Sequence, residues 1–298
     1  MSKSNLIVVN PISGDINKTP IVDTIQRTIF ECKEEISIFY TTGKKDADTI
    51  KNILDTSPVD RVITVGGDGT ISMVGKLLMN RNISLGIIPA GSANGLAVNF
   101  GIPELVEHQL EIALSDSIMD IDVLFLNGHF SLHIADLGLN AELIRNYDRA
   151  SRRGKLGYFL QSIPTLIQSN FPFEFKIESM GEVFQATGAL LAIANASKFG
   201  TGATINPVGK MNDGIVEILI FKNLNLIEIA KTAQENPDLS PDFVKIITTN
   251  KATITTEKEI SFQIDGEYMG EVKKVEVELI PRCLKIAVPP SFLESSTP

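Results

Sequence analysis

Four times in the first hundred residues a short β-rich run is followed by a helix-like pattern, and that alternation restricts the fold more than any other property of the chain. The runs 6–9, 36–40, 62–65 and 85–88 are followed by helical patterns over 19–32, 46–54, 71–78 and 93–100. Strand and helix taking turns predicts a parallel α/β sheet, because parallel neighbours need a crossover and the helix supplies it. Ligands of such sheets bind beyond the carboxyl ends of the strands. Those ends carry Asn10-Pro11, Thr41-Thr42-Gly43, Gly66-Gly67-Asp68-Gly69-Thr70 and Pro89-Ala90-Gly91-Ser92. Turn chemistry alone accounts for one or two such ends; four together predict a site.

The third end is the most informative chemically. Its glycines let backbone N–H groups approach an anion, and Thr70 is expected to cap a helix whose N-terminus favours negative charge. Asp68 is the unusual member. A carboxylate beside phosphate oxygens is repelled unless a divalent cation bridges them or it accepts a proton from an attacking hydroxyl, and both cases point to phosphoryl transfer. The loop has no Lys where a Walker A sequence puts one, and its spacing is not G-x-G-x-x-G. Taken alone, it reads equally well as a Gly-rich turn with a helix cap.

From about residue 116 the texture changes to longer β-like segments: 119–126, 130–134, 173–178, 183–194, 215–221, 253–264, 273–280 and 283–288. These predict a mainly antiparallel, sandwich-like second region. One or two helices are expected to interrupt it, the clearest over 155–168 and kinked at Pro164. The expected division is a nucleotide-binding α/β domain over 1–117 and a β-sandwich substrate or lid domain over 118–298, with the last residues free to pack back on the first. A chain of 298 residues that is 43% hydrophobic has core material for two such domains.

The 27 basic against 36 acidic side chains give a net charge of −9, which argues against nucleic acid as a partner and against broad attraction to anionic lipid. One local exception is the basic run Arg145, Arg149, Arg152, Arg153 and Lys155. It reads as a solvated helix end, with anionic headgroups as the alternative at about 1 kcal/mol per basic residue. Cys32 and Cys283 have no metal-type spacing and no signal-like run opens the chain, so a reduced, cytoplasmic protein is expected. The uncharged stretches 82–103 and 156–173 are interrupted by proline and polar residues and do not read as transmembrane helices. A lipid substrate would therefore be met at the membrane surface, as a peripheral contact. His129 and His133 are expected to be core or strand-face residues rather than zinc ligands.

Taken in order, Asn10-Pro11-Ile12-Ser13-Gly14, Thr41-Thr42-Gly43, Gly66-Gly67-Asp68-Gly69-Thr70, Pro89-Ala90-Gly91-Ser92-Ala93-Asn94, Asn212-Asp213-Gly214 and Asp265-Gly266-Glu267 form a pattern covering nearly the whole chain. It resembles the lipid kinase family that includes bacterial diacylglycerol kinases and the sphingosine and ceramide kinases. More distantly it is similar to NAD kinases and phosphofructokinases, which share a GGDG-like loop. The resemblance implies a two-domain enzyme whose active site lies in the cleft between an NAD kinase/diacylglycerol kinase-like α/β domain and a β-sandwich. It implies ATP with Mg²⁺, and a lipid hydroxyl such as that of diacylglycerol or a sphingoid base as acceptor. Thr41, Gly66, Gly67, Asp68, Gly69, Thr70, Ile71, Ser72 and Ser92 fall at the family's nucleotide contacts, supported by Asn10 and Asn94. Glu267 falls at its proton acceptor, and Asp213 at its metal-binding aspartate, with the backbone carbonyls of Lys210 and Ile215 completing that site.

Read by their residues alone, Asp265-Gly266 is also a hairpin turn and Asn212-Asp213-Gly214 a good turn sequence. Asp68 either shares the proton transfer with Glu267 or holds Mg²⁺ on the phosphates. The chain departs from the family where Asn-Glu usually follows the GGDGT loop, here Ser72 and Met73, and where Asp usually follows Asn94, here Gly95. These departures keep one alternative beside the lipid kinase, a nucleotide-binding regulator with weakened catalysis; an NAD kinase-like phosphotransferase, which would share the Asp68 loop, is the other. A homodimer is left open.

Overall fold

The computed structural model describes residues 3–142, 144, 172–200 and 202–295. The helix expected over 155–168 and the basic run at 145–155 lie outside them. The chain divides into two compact units, the first comprising Met1–Val123, Gly200–Gly202 and Pro281–Pro298, the second Leu124–Phe199 and Ala203–Ile280.

Strands β1 (Ser4–Val9) and β3 (Arg61–Gly66) are buried along almost their whole length, as expected of parallel strands covered on both faces. With β2 (Glu35–Tyr40) and β4 (Ser84–Pro89) they form a parallel sheet in the order β2-β1-β3-β4. The crossovers contain α1 (Thr19–Glu31), α2 (Asp46–Thr56) and α3 (Asp68–Leu78). Helix α1 starts with Pro20 in its first turn, where a missing N–H costs nothing, and turns Val22, Ile25 and Ile29 inward at helical spacing. These join Ile7, Ile63 and Ile88 in one core cluster. After β4 come the short α4 (Gly95–Asn99) and α5 (Val106–Leu114), the latter missing from the sequence expectation.

In the second unit β5 (Ile118–Leu126) continues from the first and pairs with β6 (His129–Ser131). It is followed by β7 (Ile134–Gly138), β8 (Phe173–Ser179), β9 (Glu182–Gly188), β10 (Leu190–Ala194) and β11 (Val216–Phe221). Then come α6 (Leu226–Lys231), β12 (Val244–Thr249), β13 (Lys251–Ile264), β14 (Glu267–Ala287) and α7 (Pro290–Ser295). Strands β12-β11-β10-β7-β13 lie side by side, every pair antiparallel, and β13 also pairs β8 and β14. The core is built from Leu137, Phe175, Ile193, Ile218, Phe262 and Val277 among others. The last residues of β14 belong to the first unit, where Lys285 and Ile286 pair in parallel with Ser84 and Leu85 of β4. There Phe292 of α7 meets Phe100 edge-on, centroids 5.1 Å apart.

Some expected segments differ in physical detail. The run 130–134 is two strands, because the N–H groups of Leu132, His133 and Ile134 donate to the Asp265 carboxylate instead of a neighbouring strand. The run 183–194 breaks at Gly188, and Ala189 N donates to Phe221 O at 2.8 Å. The expected 273–280 and 283–288 are one strand, passing through Arg282 at φ +48°. The fold class stands: an α/β unit followed by a mainly antiparallel β-sandwich, with parallel and antiparallel pairs in the sheet.

Candidate active site

The four strand ends of the first unit are tied together by main chain and small side chains. Asn10 N donates to Val65 O at 2.9 Å, and Asn10 Nδ2 donates to Thr70 Oγ1 at 3.0 Å. Thr70 therefore does not cap α3, contrary to the sequence expectation. Gly67, with φ −94° and ψ −176°, stands at the cap position, and its carbonyl accepts the N–H groups of Thr70 and Ile71 at 3.0 and 3.1 Å. Thr70 is the third residue of the helix, buried, with its hydroxyl on Asn10 rather than on its own helix terminus. The first-turn N–H groups of Asp68 and Gly69 have no carbonyl four residues back within the helix, which suits them to an anion.

Glycine is required where the third and fourth loops meet. A Cβ on Gly91 would lie 2.4 Å from Gly67 Cα, and one on Gly66 would lie 2.8 Å from Thr70 Oγ1. The first loop closes on the same place, because Ser13 Oγ donates to Ala90 O at 2.9 Å. Asn94, left-handed at φ +56°, accepts Gly91 N at 2.8 Å and donates to Gly91 O at 3.1 Å, closing the fourth loop on itself. Asp68 joins the two loops: Oδ2 accepts Gly95 N at 3.0 Å and Oδ1 accepts Leu96 N at 3.2 Å.

At the second strand end Thr41 N donates to Val9 O at 2.8 Å. The next residues are held by Asp46, which accepts from Thr42 N (2.9 Å), Thr42 Oγ1 (2.9 Å) and Gly43 N (2.8 Å). The Thr42 N–H first, and then the other donors, hold the Asp46 carboxyl below its usual range against a smaller opposing effect of burial. Ser92 is exposed and Ser72 and Met73 are half-buried, whereas Ile71 is buried, so only its main chain can meet a ligand. Ser13, Gly14 and Gly91 stood in the motifs without an assigned role. Asp46 was not singled out at all, and its signal was an acidic residue opening a helix.

In the second unit Asp265 (φ +48°) and Gly266 (φ +88°) form a two-residue turn between Ile264 and Glu267, the paired ends of β13 and β14. Positive φ at both central residues matches the right-handed twist of the strands. The Asp265 carboxylate accepts from Ser131 Oγ (2.9 Å) and from the N–H groups of Leu132, His133 and Ile134 (2.9, 3.0 and 3.1 Å). Glu267 is the exposed first residue beyond this pinned turn. Asp213, also exposed, lies in the turn before β11, where its Oδ1 accepts Ile215 N at 3.0 Å. Lys210 and Ile215 flank it in the chain, and carboxylate and carbonyl oxygens are the donor type a hard divalent cation prefers. His129 is exposed and His133 buried, and no cluster of three or more His, Cys, Asp or Glu able to hold a metal occurs among the described residues.

Comparison with known proteins accounts for both units. Residues 4–126 match the diacylglycerol kinase catalytic domain, and residues 134–288 match the YegS C-terminal NAD kinase β-sandwich-like domain. The diacylglycerol kinase of Bacillus subtilis is 28% identical over 275 residues, 89% of each chain. A Klebsiella pneumoniae protein named "Probable lipid kinase YegS-like" is 30% identical over 236 residues, 78% of this chain and 79% of that one. The fold is shared with a diacylglycerol kinase structure from Bacillus anthracis (TM-score 0.74, 20% identity, 97% and 98% coverage). It is shared more loosely with an NAD kinase from Archaeoglobus fulgidus solved with ATP (TM-score 0.55, 14% identity, 98% and 96% coverage).

Fold and sequence together define a kinase, a phosphotransferase with an alcohol group as acceptor. The chain belongs to the diacylglycerol kinase and YegS lipid kinase family.

Proposed function

We propose that this kinase transfers the γ-phosphoryl group of ATP to the hydroxyl of a membrane lipid such as diacylglycerol or a sphingoid base. The observation that carries the reading is the convergence of four loops at one edge of the parallel sheet, with Gly67 and Gly91 in backbone contact and Asp68 in the first turn of α3. Such an edge suits a polyphosphate: N–H groups face the anion, and small residues let it approach closely. In this reading Gly66, Gly67, Gly69, Thr70, Ile71, Ser72, Thr41, Ser92, Asn10 and Asn94 form the nucleotide cradle.

Glu267 accepts the acceptor hydroxyl's proton, and Asp68 either shares that work or orients a phosphate-bound cation. Asp213 with the carbonyls of Lys210 and Ile215 is the candidate Mg²⁺ site. Mg²⁺ bound there would supply a fixed positive charge beside the turn before β11.

The test is direct: supply ATP-Mg²⁺ with vesicles containing diacylglycerol or sphingosine, or with NAD, and identify the phosphorylated product. Lipid phosphate is the expected result, and phosphate on NAD alone overturns the reading. Glu267→Gln and Asp68→Asn are each expected to slow transfer by about 100-fold or more. A second reading, a nucleotide-binding regulator, is supported by the Asp68 carboxylate, whose two oxygens are both engaged by Gly95 and Leu96 N–H groups. It predicts that wild type and both variants bind ATP equally well and transfer phosphate to none of these acceptors.

A further inference from the structure

A carboxylate completely buried in a sheet core is costly, and Asp136 of β7 is one: its exposure is 0% and burial pushes its carboxyl up to about 7. What it holds explains the cost. Asp136 stands directly across from Gln263 of β13, itself 1% exposed. The Gln263 amide nitrogen donates to Asp136 Oδ2, and Asn140 Nδ2 donates to the same oxygen at 2.6 Å. The other end of the Gln263 amide, Oε1, accepts Gly266 N at 2.8 Å. Gly266 immediately precedes Glu267.

We infer that Asp136 is a positioning residue for Glu267, acting through the Gln263 side chain to fix the Asp265-Gly266 turn. The inference rests on the reading of Glu267 as proton acceptor. Its logic is one of polarity. Gly266 N–H can only donate, so the amide oxygen of Gln263 must face it, and the amide NH₂ must then face residue 136. An acceptor at 136 is the only partner that satisfies this orientation. With an apolar side chain there, the buried NH₂ is left unpaired, or the amide turns over and sets donor against donor at Gly266. Either outcome frees one side of the turn, while Asp265 still holds the other side through Ser131 and the N–H groups of residues 132–134. The turn then loses orientation rather than its fold, and a misaimed proton acceptor lowers the rate of transfer without touching the nucleotide loops.

The experiment uses the full chain with ATP-Mg²⁺ and phosphatidylcholine vesicles carrying dioleoylglycerol in one arm and sphingosine in another. Asp136→Leu is expected to lower kcat at least tenfold with KM for ATP unchanged within about twofold, and Asp136→Asn, which keeps an oxygen toward Gln263, to recover most of the lost rate. If Asp136→Leu does not fold, Gln263→Met cuts the same link from its other end and carries the same expectation. A folded Asp136→Leu or Gln263→Met at the wild-type kcat overturns the inference, as does an Asp136→Asn as slow as Asp136→Leu. Glu267→Gln as active as wild type overturns the reading of Glu267 and this inference with it. An inactive Glu267→Gln beside a fully active Asp136→Leu overturns the inference alone.

Discussion

Gly91 and Asp136 are single residues whose roles depend on what lies within a few ångströms of them. The Gly91 Cα faces Gly67 so closely that a methyl group would sit 2.4 Å from its Cα, backbone against backbone, with no side chain able to yield. Gly91→Ala is therefore expected to push the third and fourth loops apart at a cost of about 1–3 kcal/mol. Calorimetric titration with ATP-Mg²⁺ should register this as affinity about tenfold weaker. Asp136 makes a prediction of opposite kind. Its carboxyl rises from 3.8 to about 7 on folding, so the folded chain holds that proton more tightly than the unfolded one. The stability this contributes is complete below about pH 4 and is lost as pH rises through 7. Asp136→Asn does not titrate, so its melting temperature relative to wild type should climb between pH 4.5 and 7.5. A flat difference across that range would contradict the buried carboxyl.

Elements were legible in the sequence where periodicity and turn chemistry agreed. The four strand-helix pairs of the first unit were expected within a few residues, because each strand is a short β-rich run followed closely by turn residues and then by a helical pattern. Helix α5 and strand β12 were missed, and the strand at 130–134 was drawn as one piece. That break arises from Asp265, more than a hundred residues away, collecting N–H groups that a local reading assigns to a strand. The loop between β2 and α2 depends on a local partner instead. Asp46→Ala removes the acceptor for Thr42 N, Thr42 Oγ1 and Gly43 N and is expected to cost about 1 kcal/mol in urea denaturation at pH 7. Because the folded Asp46 carboxyl is held below 3.8, its contribution is present above that pH and fades as pH falls through the lowered value. The gap between wild type and Asp46→Ala should accordingly narrow in strong acid.

Across the whole molecule, the buried Arg61 cluster and the candidate nucleotide loops occupy opposite ends of the parallel strands. Arg61 opens β3 at the end away from the loops, 2% exposed, donating to Asn5 Oδ1 (3.1 Å), Glu34 Oε2 (3.3 Å) and Leu114 O (2.7 Å). Arg61→Met removes this donor from all three acceptors, of which Glu34 Oε2 keeps Asn5 Nδ2 at 2.9 Å, and is expected to destabilise the first unit by about 3 kcal/mol. Affinity for ATP-Mg²⁺, measured well below the melting temperature, should change by less than about twofold. No helix among the described residues is long and apolar enough to cross a membrane. By itself the sequence determined the two-part architecture, the loops that carry the candidate nucleotide contacts and the family, because these rest on local periodicity and on motifs read in order. Only the tertiary structure decided that Thr70 serves Asn10 rather than its own helix, that Gly91 must lack a side chain where it backs onto Gly67, and that Asp136 reaches the Glu267 turn through Gln263. Those facts concern which distant groups share a few ångströms of space. Residue order carries no direct record of that, since it is set when strands pair and buried polar groups must find their partners.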